Sequence, residues 1–495
     1  MARLVQVFTK TVRRFSSALY VTGDKAQHHF VVLTPFVDFD EILKNKNDLI
    51  KSIEARKLTI NLDKIEQRWN FFKTIDDHKT VLEFTRSEIQ NLINKLKQDG
   101  EEKNQSDIEK LLLHIKVVKD DLKNVKEFTY GLEENANLGV LSLPNFLHPK
   151  TPLDSQTIIH EFLEQPKPIQ ENHLQIAKSQ NLIEYTSPTL CYLKSDAALF
   201  EFAITNYFQS NLVSQSFTQF SNADFVRSLV VEGCGTDYLD KNKIFTLDGS
   251  NNEINRLHLV GGASLYSFMA YFAKNSIQSA LLPLKFFTLG RKYSPGSGPD
   301  LLNLSQNTVG QIFVATSNNS NEIFDSLVQQ IREIYEPLNY HFRLVYAPAV
   351  DLKVGESLKV SIEMFSNYSG TYVEVGYLSL YGDYISKRLL FTHVTKPPAF
   401  QYIILSGATH LKSPPNCSTS RLPQTAPIYN IRHPVVLQAH VREPMTRITP
   451  LQNATYAYLK RKVNRINRYD IFSSEILQSR SKESLREVET RNPED

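Results

Sequence analysis

Cysteine is nearly absent from this sequence. Its three copies, Cys191, Cys234 and Cys417, stand far apart, and none belongs to a Cys-x-x-Cys pair. That spacing excludes a disulfide framework and a structural zinc site. Long apolar runs are missing as well: no stretch of about 18 apolar residues could cross a membrane as a helix. Neither charge sign dominates, because 56 Lys and Arg face 53 Asp and Glu. A net charge of +3 does not by itself argue for a nucleic-acid partner. The histidines His28, His29 and His433 have no Ser, Cys or acid in the spacing of a triad or a metal centre. No metal and no cofactor is therefore expected.

What is present is enough to fold. At 495 residues, with 41% hydrophobic and 22% charged residues, the chain can hold two or three domains around a large core. No acid precedes Asp24, whereas Arg3, Lys10, Arg13 and Arg14 alternate with Leu4, Val5, Phe8, Val12 and Phe15. An Arg-rich, Ser-containing, acid-free amphipathic start has the composition of a mitochondrial presequence. The expected presequence is residues 1–19, cut near Phe15-Ser16-Ser17, with the mitochondrial matrix as destination. An ordinary basic first helix has the same composition.

Two long helical patterns follow within a domain expected over 35–145. Leu58, Ile65 and Phe72 repeat every seventh residue, and so do Ile75, Leu82, Ile89 and Leu96. Ile108, Ile115 and Leu122 interleave with Leu111, Val118 and Val125 in a second heptad. A polar turn around Gly100 separates them, and Ser106 with Glu109 has the pattern of a capping box. The expectation is an antiparallel helical hairpin over about 60–130, roughly 55 Å long at 1.5 Å per residue.

The hairpin is balanced in charge, with 13 Lys and Arg against 14 Asp and Glu between Asn61 and Tyr130. Lys116, Lys119, Lys123 and Lys126 nevertheless form a ridge beside the hydrophobic seam. Such a ridge follows nucleic-acid phosphates, or it lays its stems over the seam with its heads in water. From about residue 150 the pattern changes to the short mixed segments of an α+β domain, expected to run to about 450. A tail, 451–495, is first basic and then mixed in charge. Between Pro444 and Tyr469 stand Arg447, Lys460, Arg461, Lys462, Arg465 and Arg468, interspersed with Tyr456, Tyr458 and Tyr469 and without one acid. Basic residues among aromatics suit nucleic acid, and equally an acidic protein face.

One stretch carries a family likeness. It begins Leu259-Val260-Gly261-Gly262-Ala263-Ser264 and passes Leu282-Pro283-Leu284-Lys285 and Gly290-Arg291-Lys292-Tyr293. It ends Asn303-Leu304-Ser305-Gln306-Asn307-Thr308-Val309-Gly310-Gln311-Ile312-Phe313. In this order the blocks resemble the serine and ATP sites of seryl-tRNA synthetases, above all the mitochondrial form: L-x-G-T-A-E, L-P, F/Y-R-x-E and R-V-H-x-F-x-K-V-E-x-F. Ile53 to Lys57 and Leu143-Pro144-Asn145 resemble that family's arm domain, and Val231-Glu232-Gly233-Cys234-Gly235 its first class II motif, with Ala223 in place of the interface Pro. The whole pattern is similar to a non-catalytic insect mitochondrial branch of the family.

The resemblance implies a class II fold, α+β, with an antiparallel sheet flanked by helices and a long N-terminal helical hairpin. It also implies lost chemistry. Gly262 and Ser264 stand where the Thr and Glu of T-A-E hold the serine ammonium, and Gln311 stands where a Glu reads serine. Asn303 and Val309 replace an Arg and a Lys, and Pro414 falls near the Arg of the third motif. A neutral side chain cannot replace a charge-assisted bond to an ammonium or phosphate. Arg291 is either the surviving Arg of F-R-x-E, with Tyr293 in place of its Glu, or a surface cation. Glu374 stands where a carboxylate holds the magnesium of ATP, or has a structural role, and Tyr377 replaces a companion Ser. The implied function is that of a silent paralogue pairing with the mitochondrial seryl-tRNA synthetase in a heterodimer. The alternative is a mitochondrial protein that binds tRNA or another nucleic acid through arm or tail.

Overall fold

The computed structural model describes residues 17–20, 33–36, 39–98, 105–167, 173–247, 256–296, 304–317, 319–394, 400–402 and 404–412, side chains of 173–174 and 400–412 excepted. Asn303, Pro414 and the tail residues Lys460, Arg461, Lys462, Arg465 and Arg468 lie outside them, as does most of the expected presequence.

Helices α1 (Phe39–Lys44) and α2 (Lys46–Ala55) precede the arm, which is α3 (Leu62–Gln98) and α4 (Gln105–Leu141), each of 37 residues. The heptads explain the pairing. Ile89 and Ile93 of α3 bury against Ile108, Ile115, Val118 and Leu122 of α4, with Leu82, Leu96 and Leu111 at the margin. Helix α4 already includes Gln105, so Ser106 stands inside the helix and is not its cap. The arm's base has a second small core of Phe39, Leu49, Ile53, Leu62, Ile65, Val140 and Leu143.

The body is an eight-stranded sheet. Its strands in chain order are β1 (Thr157–Phe162), β2 (Thr218–Gln219), β3 (Leu284–Tyr293), β4 (Gln306–Thr316), β5 (Phe342–Tyr346), β6 (Leu358–Ser366), β7 (Thr371–Gly382) and β8 (Ile404–Lys412). In space the order is β1-β5-β6-β7-β8-β4-β3-β2, antiparallel throughout except for β2 against β3.

Alternate residues of each strand belong to opposite faces. One face buries Phe287, Ile312, Val314, Leu344, Val360, Ile362 and Leu378 under two helices, α5 (Ser195–Ser214) and α8 (Ser320–Tyr335). Phe324, Leu327, Ile331 and Ile334 supply the apolar stripe of α8, at helical spacing. The opposite face packs Phe313, Ala315 and Tyr381 against α6 (Ser228–Gly233), α7 (Leu265–Phe272) and α9 (Tyr384–Leu389). There Phe313 stacks with Phe268 and with Phe272, at 5.1 Å in each case.

Two buried arginines fasten the arm to the body. Arg56 donates to the carbonyl oxygens of Lys353 at 2.7 Å and of Glu356, and its burial pushes its pKa down to about 10. Arg388 lies 3.9 Å from the Tyr384 ring centre and donates to the Leu141 carbonyl at 2.8 Å. A cation at the end of α4 satisfies carbonyls that the helix leaves unpaired. Asn145 completes the joint, donating from Nδ2 to the carbonyls of Gly355 and Tyr381 at 2.9 and 2.8 Å.

Ala18, Leu19 and Tyr20 are buried in the main core, so a removable leader that ended at residue 19 would take part of that core with it.

Candidate functional site

Of the residues singled out between 259 and 313, Gly262, Ser264 and Gln311 lie on the side of the sheet that carries Phe313, whereas Arg291 and Tyr293 do not. The loop of residues 260–264 is zipped to β3: Tyr293 N donates to Val260 O at 3.1 Å, and Ala263 N to Arg291 O at 3.2 Å. This approach requires glycine at 261, where φ is +85° and a Cβ would come within 2.1 Å of the Arg291 carbonyl oxygen. Gly262 is also enclosed. Its amide donates to Asp224 Oδ1 at 2.6 Å, its carbonyl accepts from Asn222 Nδ2 at 3.1 Å, and a Cβ would lie 2.9 Å from Asn222 O. A threonine does not fit there without displacing that backbone.

Ser264 has a task of its own. It caps α7, its hydroxyl accepting from Tyr266 N at 3.1 Å, and it is 1% exposed. Gln311 is likewise buried, with Nε2 donating to Ile312 O at 2.9 Å. Register aligns the rest: Gln311 faces Thr288 on one side and His410 on the other, while Leu378 faces Thr409 and Ser361 faces Tyr377. Gln311 and Tyr377 therefore share a row on one face with a single strand between them, about 10 Å apart at the usual strand spacing.

Arg291 is not brought to that row. It alternates with Phe287 and Leu289, opposite Thr308, on the face covered by α5. There its Nη1 lies 3.0 Å from Glu201 Oε1 and 2.5 Å from Thr308 Oγ1, and Thr308 also donates to Glu201. Thr288 and Gly290 hold the β3 positions on the Gln311 face. Strand parity thus sets Arg291, with Tyr293, on the face opposite Gln311, where Arg291 pairs with Glu201.

Glu374 is held by two neighbours. Its Oε2 accepts from Ser361 Oγ at 2.7 Å and lies 2.7 Å from Lys359 Nζ. Tyr377 stands between two ammoniums, Lys353 and Lys359, each 5.1 Å from its ring centre. A magnesium ion would meet a carboxylate already paired with a lysine. The donor set does not fit a magnesium–nucleotide complex. Among the described residues no group of three His, Cys, Asp or Glu could hold a metal. The sequence reading missed Lys359, whose signal was a cation among the apolar residues of β6.

A Ser–His pair elsewhere looks catalytic and is not. Ser228 Oγ lies 2.9 Å from His258 Nε2, and Thr246 Oγ1 lies 3.2 Å from Nδ1. Both Ser228 and His258 are fully buried, and a threonine cannot stabilise an imidazolium. The pair pins α6 to the strand of Leu257–Leu259.

Fold and site can be compared with known proteins. The serine–tRNA synthetase-like protein Slimp of Drosophila melanogaster is 30% identical over 77% of this chain and 84% of its own length. The chain belongs to the seryl-tRNA synthetase family. The mitochondrial serine–tRNA ligase of Mus musculus is 25% identical, covering 76% of this chain and 77% of its own. Among solved structures, the seryl-tRNA synthetase of Pyrococcus horikoshii complexed with ATP superposes with a TM-score of 0.66 at 18% identity, over 76% of this chain and 91% of its own. The cytoplasmic serine–tRNA ligase of Naegleria fowleri in complex with AMP gives 0.63 at 14% identity, over 75% and 89%. No family model matches the chain.

The arm carries the other group of residues singled out in the sequence. Lys116, Lys119 and Lys123 are exposed and make no ion pair among the described residues, whereas Lys126 reaches across the hairpin to Glu83 Oε1 at 2.9 Å. That ammonium holds the Glu83 carboxyl below its usual range. No helix among the described residues is long and apolar enough to cross a membrane.

Proposed function

We propose that this seryl-tRNA synthetase paralogue is a pseudoenzyme of the mitochondrial matrix, and that it serves translation as a subunit or regulator of the mitochondrial seryl-tRNA synthetase. The observation that carries the reading is the Lys359 ammonium at 2.7 Å from Glu374, a built-in cation where the family resemblance implies magnesium-bound ATP. The enclosed Gly262 and the capping Ser264 support it from the serine side. The domain frame and the arm remain, which is what a neighbour in a dimer needs. Location follows the basic, acid-free start and the mitochondrial relative.

The test has two arms. Purified protein should give no serine-dependent ATP–pyrophosphate exchange, and activity within about tenfold of a true synthetase would reject the silent site. Co-expression with the mitochondrial seryl-tRNA synthetase should yield a complex with one copy of each chain by size exclusion and mass measurement. A stable homodimer that ignores the synthetase would reject the partnership.

The exposed, unpaired Lys116, Lys119 and Lys123 favour a second reading, binding of tRNA or another nucleic acid along the arm. Replacing the three with Gln should then flatten the salt dependence of binding by about 1 per lost phosphate contact. An unchanged slope places any binding elsewhere.

A further inference from the structure

A short strap near the start of the chain is built into the fold. Ser17 Oγ donates to Glu232 Oε1 at 2.7 Å, and the amides of Ala18 and Leu19 donate to Glu232 Oε2 at 2.7 and 3.0 Å. Ser17 Oγ also accepts from the amides of Leu19 and Tyr20, at 3.1 and 2.9 Å, which closes the strap into a tight turn. Leu19 is fully buried, and it shares a core with Val230, Val231 and Phe268. Tyr20 then reaches the arm, its hydroxyl donating to Glu133 Oε1 at 2.5 Å. Four residues thus clasp α6 of the body and α4 of the arm.

Glu232 is the unusual partner. Among the described residues its carboxylate has three donors and no ion pair. Burial pushes the Glu232 carboxyl up, and the hydrogen bonds from Ser17, Leu19 and Ala18, with Arg388 acting through space, offset this only in part. A carboxylate desolvated in this way is stabilised by a nearby cation. The strap, Ser17-Ala18-Leu19-Tyr20, carries no basic side chain. It acquires a cation if the chain begins at Ser17, because an α-amino group is largely protonated near neutral pH. That ammonium would sit on the residue whose own hydroxyl is already 2.7 Å from Glu232.

We propose that processing hydrolyses the Ser16–Ser17 bond, and that the new Ser17 ammonium pairs with Glu232 and locks the base of the arm onto the body. The proposal rests on reading the start of the chain as a mitochondrial presequence. One water adds across the amide: the C–N bond breaks, Ser16 departs with a carboxylate terminus, and the Ser17 nitrogen takes up protons as an ammonium. A processing peptidase of the matrix supplies the hydrolysis. A cut after Tyr20 would strip Ala18, Leu19 and Tyr20 from the core.

The experiment imports the full-length chain into isolated mitochondria and reads the product by intact mass and N-terminal sequencing. A mature chain starting at Ser17 is expected. Cleavage at any other bond overturns the proposal and leaves the presequence reading standing, whereas absence of import and cleavage overturns both. In parallel, a Ser17-start chain released from a removable fusion is compared with its N-acetylated form. The free ammonium should raise the thermal midpoint by about 1–2 °C, and Glu232→Gln should abolish the difference. Equal midpoints for the free and acetylated forms overturn the ion pair. Acetylation leaves the interior untouched, so this comparison decides even if Glu232→Gln fails to fold.

Discussion

Lys359 Nζ lies 2.7 Å from Glu374 Oε2, on the sheet face that also carries Tyr377 and Gln311. The lysine side chain is 13% exposed and the glutamate 38%, so the pair is a fixture of the sheet more than a solvated surface contact. Its two charges cancel where the proposed reading places the magnesium-bound nucleotide of the family. Lys359→Met should leave Glu374 with Ser361 alone. The expected cost is about 1–2 kcal/mol, read from the urea midpoint, with no gain of magnesium-dependent ATP binding in calorimetry. Tight ATP binding by the variant would show that the lysine alone closes the site.

Restoring the serine-site residues should not restore chemistry. Gly262→Thr brings a Cβ to 2.9 Å from the Asn222 carbonyl oxygen, and Ser264→Glu removes the cap of α7 while burying a carboxylate. The loss of the cap alone costs about 1 kcal/mol. The double variant should melt lower than the parent and remain silent in pyrophosphate exchange. Recovery of exchange with unchanged stability would refute this account of the loop.

The arm offers a contrast between neighbouring positions. Ile115→Asp sets a charge in the α3–α4 seam, where the isoleucine is 5% exposed. Leu113→Asp, two residues away, alters a side chain that is 66% exposed. The first should cost about 3–5 kcal/mol and lower the helical circular dichroism signal, whereas the second should change little. Equal effects would mean a different seam.

Stability should fall on mild acidification. Burial holds the His258 pKa below its ordinary 6.5, and the same cause lowers that of His393. Between the depressed folded value and about 6.5 the unfolded chain binds more protons, so stability rises with pH through that window. The contribution is complete above about 6.5 and is lost as pH falls through the folded value. The urea midpoint should therefore drop between about pH 7.5 and 5.5, and His258→Asn should show a shallower drop. An identical slope in the variant would remove His258 from the explanation.

Much was legible because it is local or periodic. The heptads of Ile108, Ile115 and Leu122 specify a buried seam at fixed spacing, and the hairpin follows. The motif order from Leu259 to Phe313 pointed to the class II sheet. Arg291 was ambiguous for a physical reason. A one-residue shift along a strand moves a side chain to the opposite face, and sequence spacing across a turn-rich loop does not set that parity. Lys359 was invisible because its significance depends on Glu374, which reaches it only once β6 and β7 pair.

By itself, then, the sequence determined the elements: two seam-forming helices, an α+β body and a family frame. Only the tertiary structure decided which groups meet. It set Arg291 against Glu201 beneath α5, drew Lys359 onto Glu374, and folded Ser17 to Tyr20 over Glu232. Periodicity is a property of neighbours along the chain. These three contacts join residues far apart in sequence or on different strands, and their register and burial exist only after the sheet has closed.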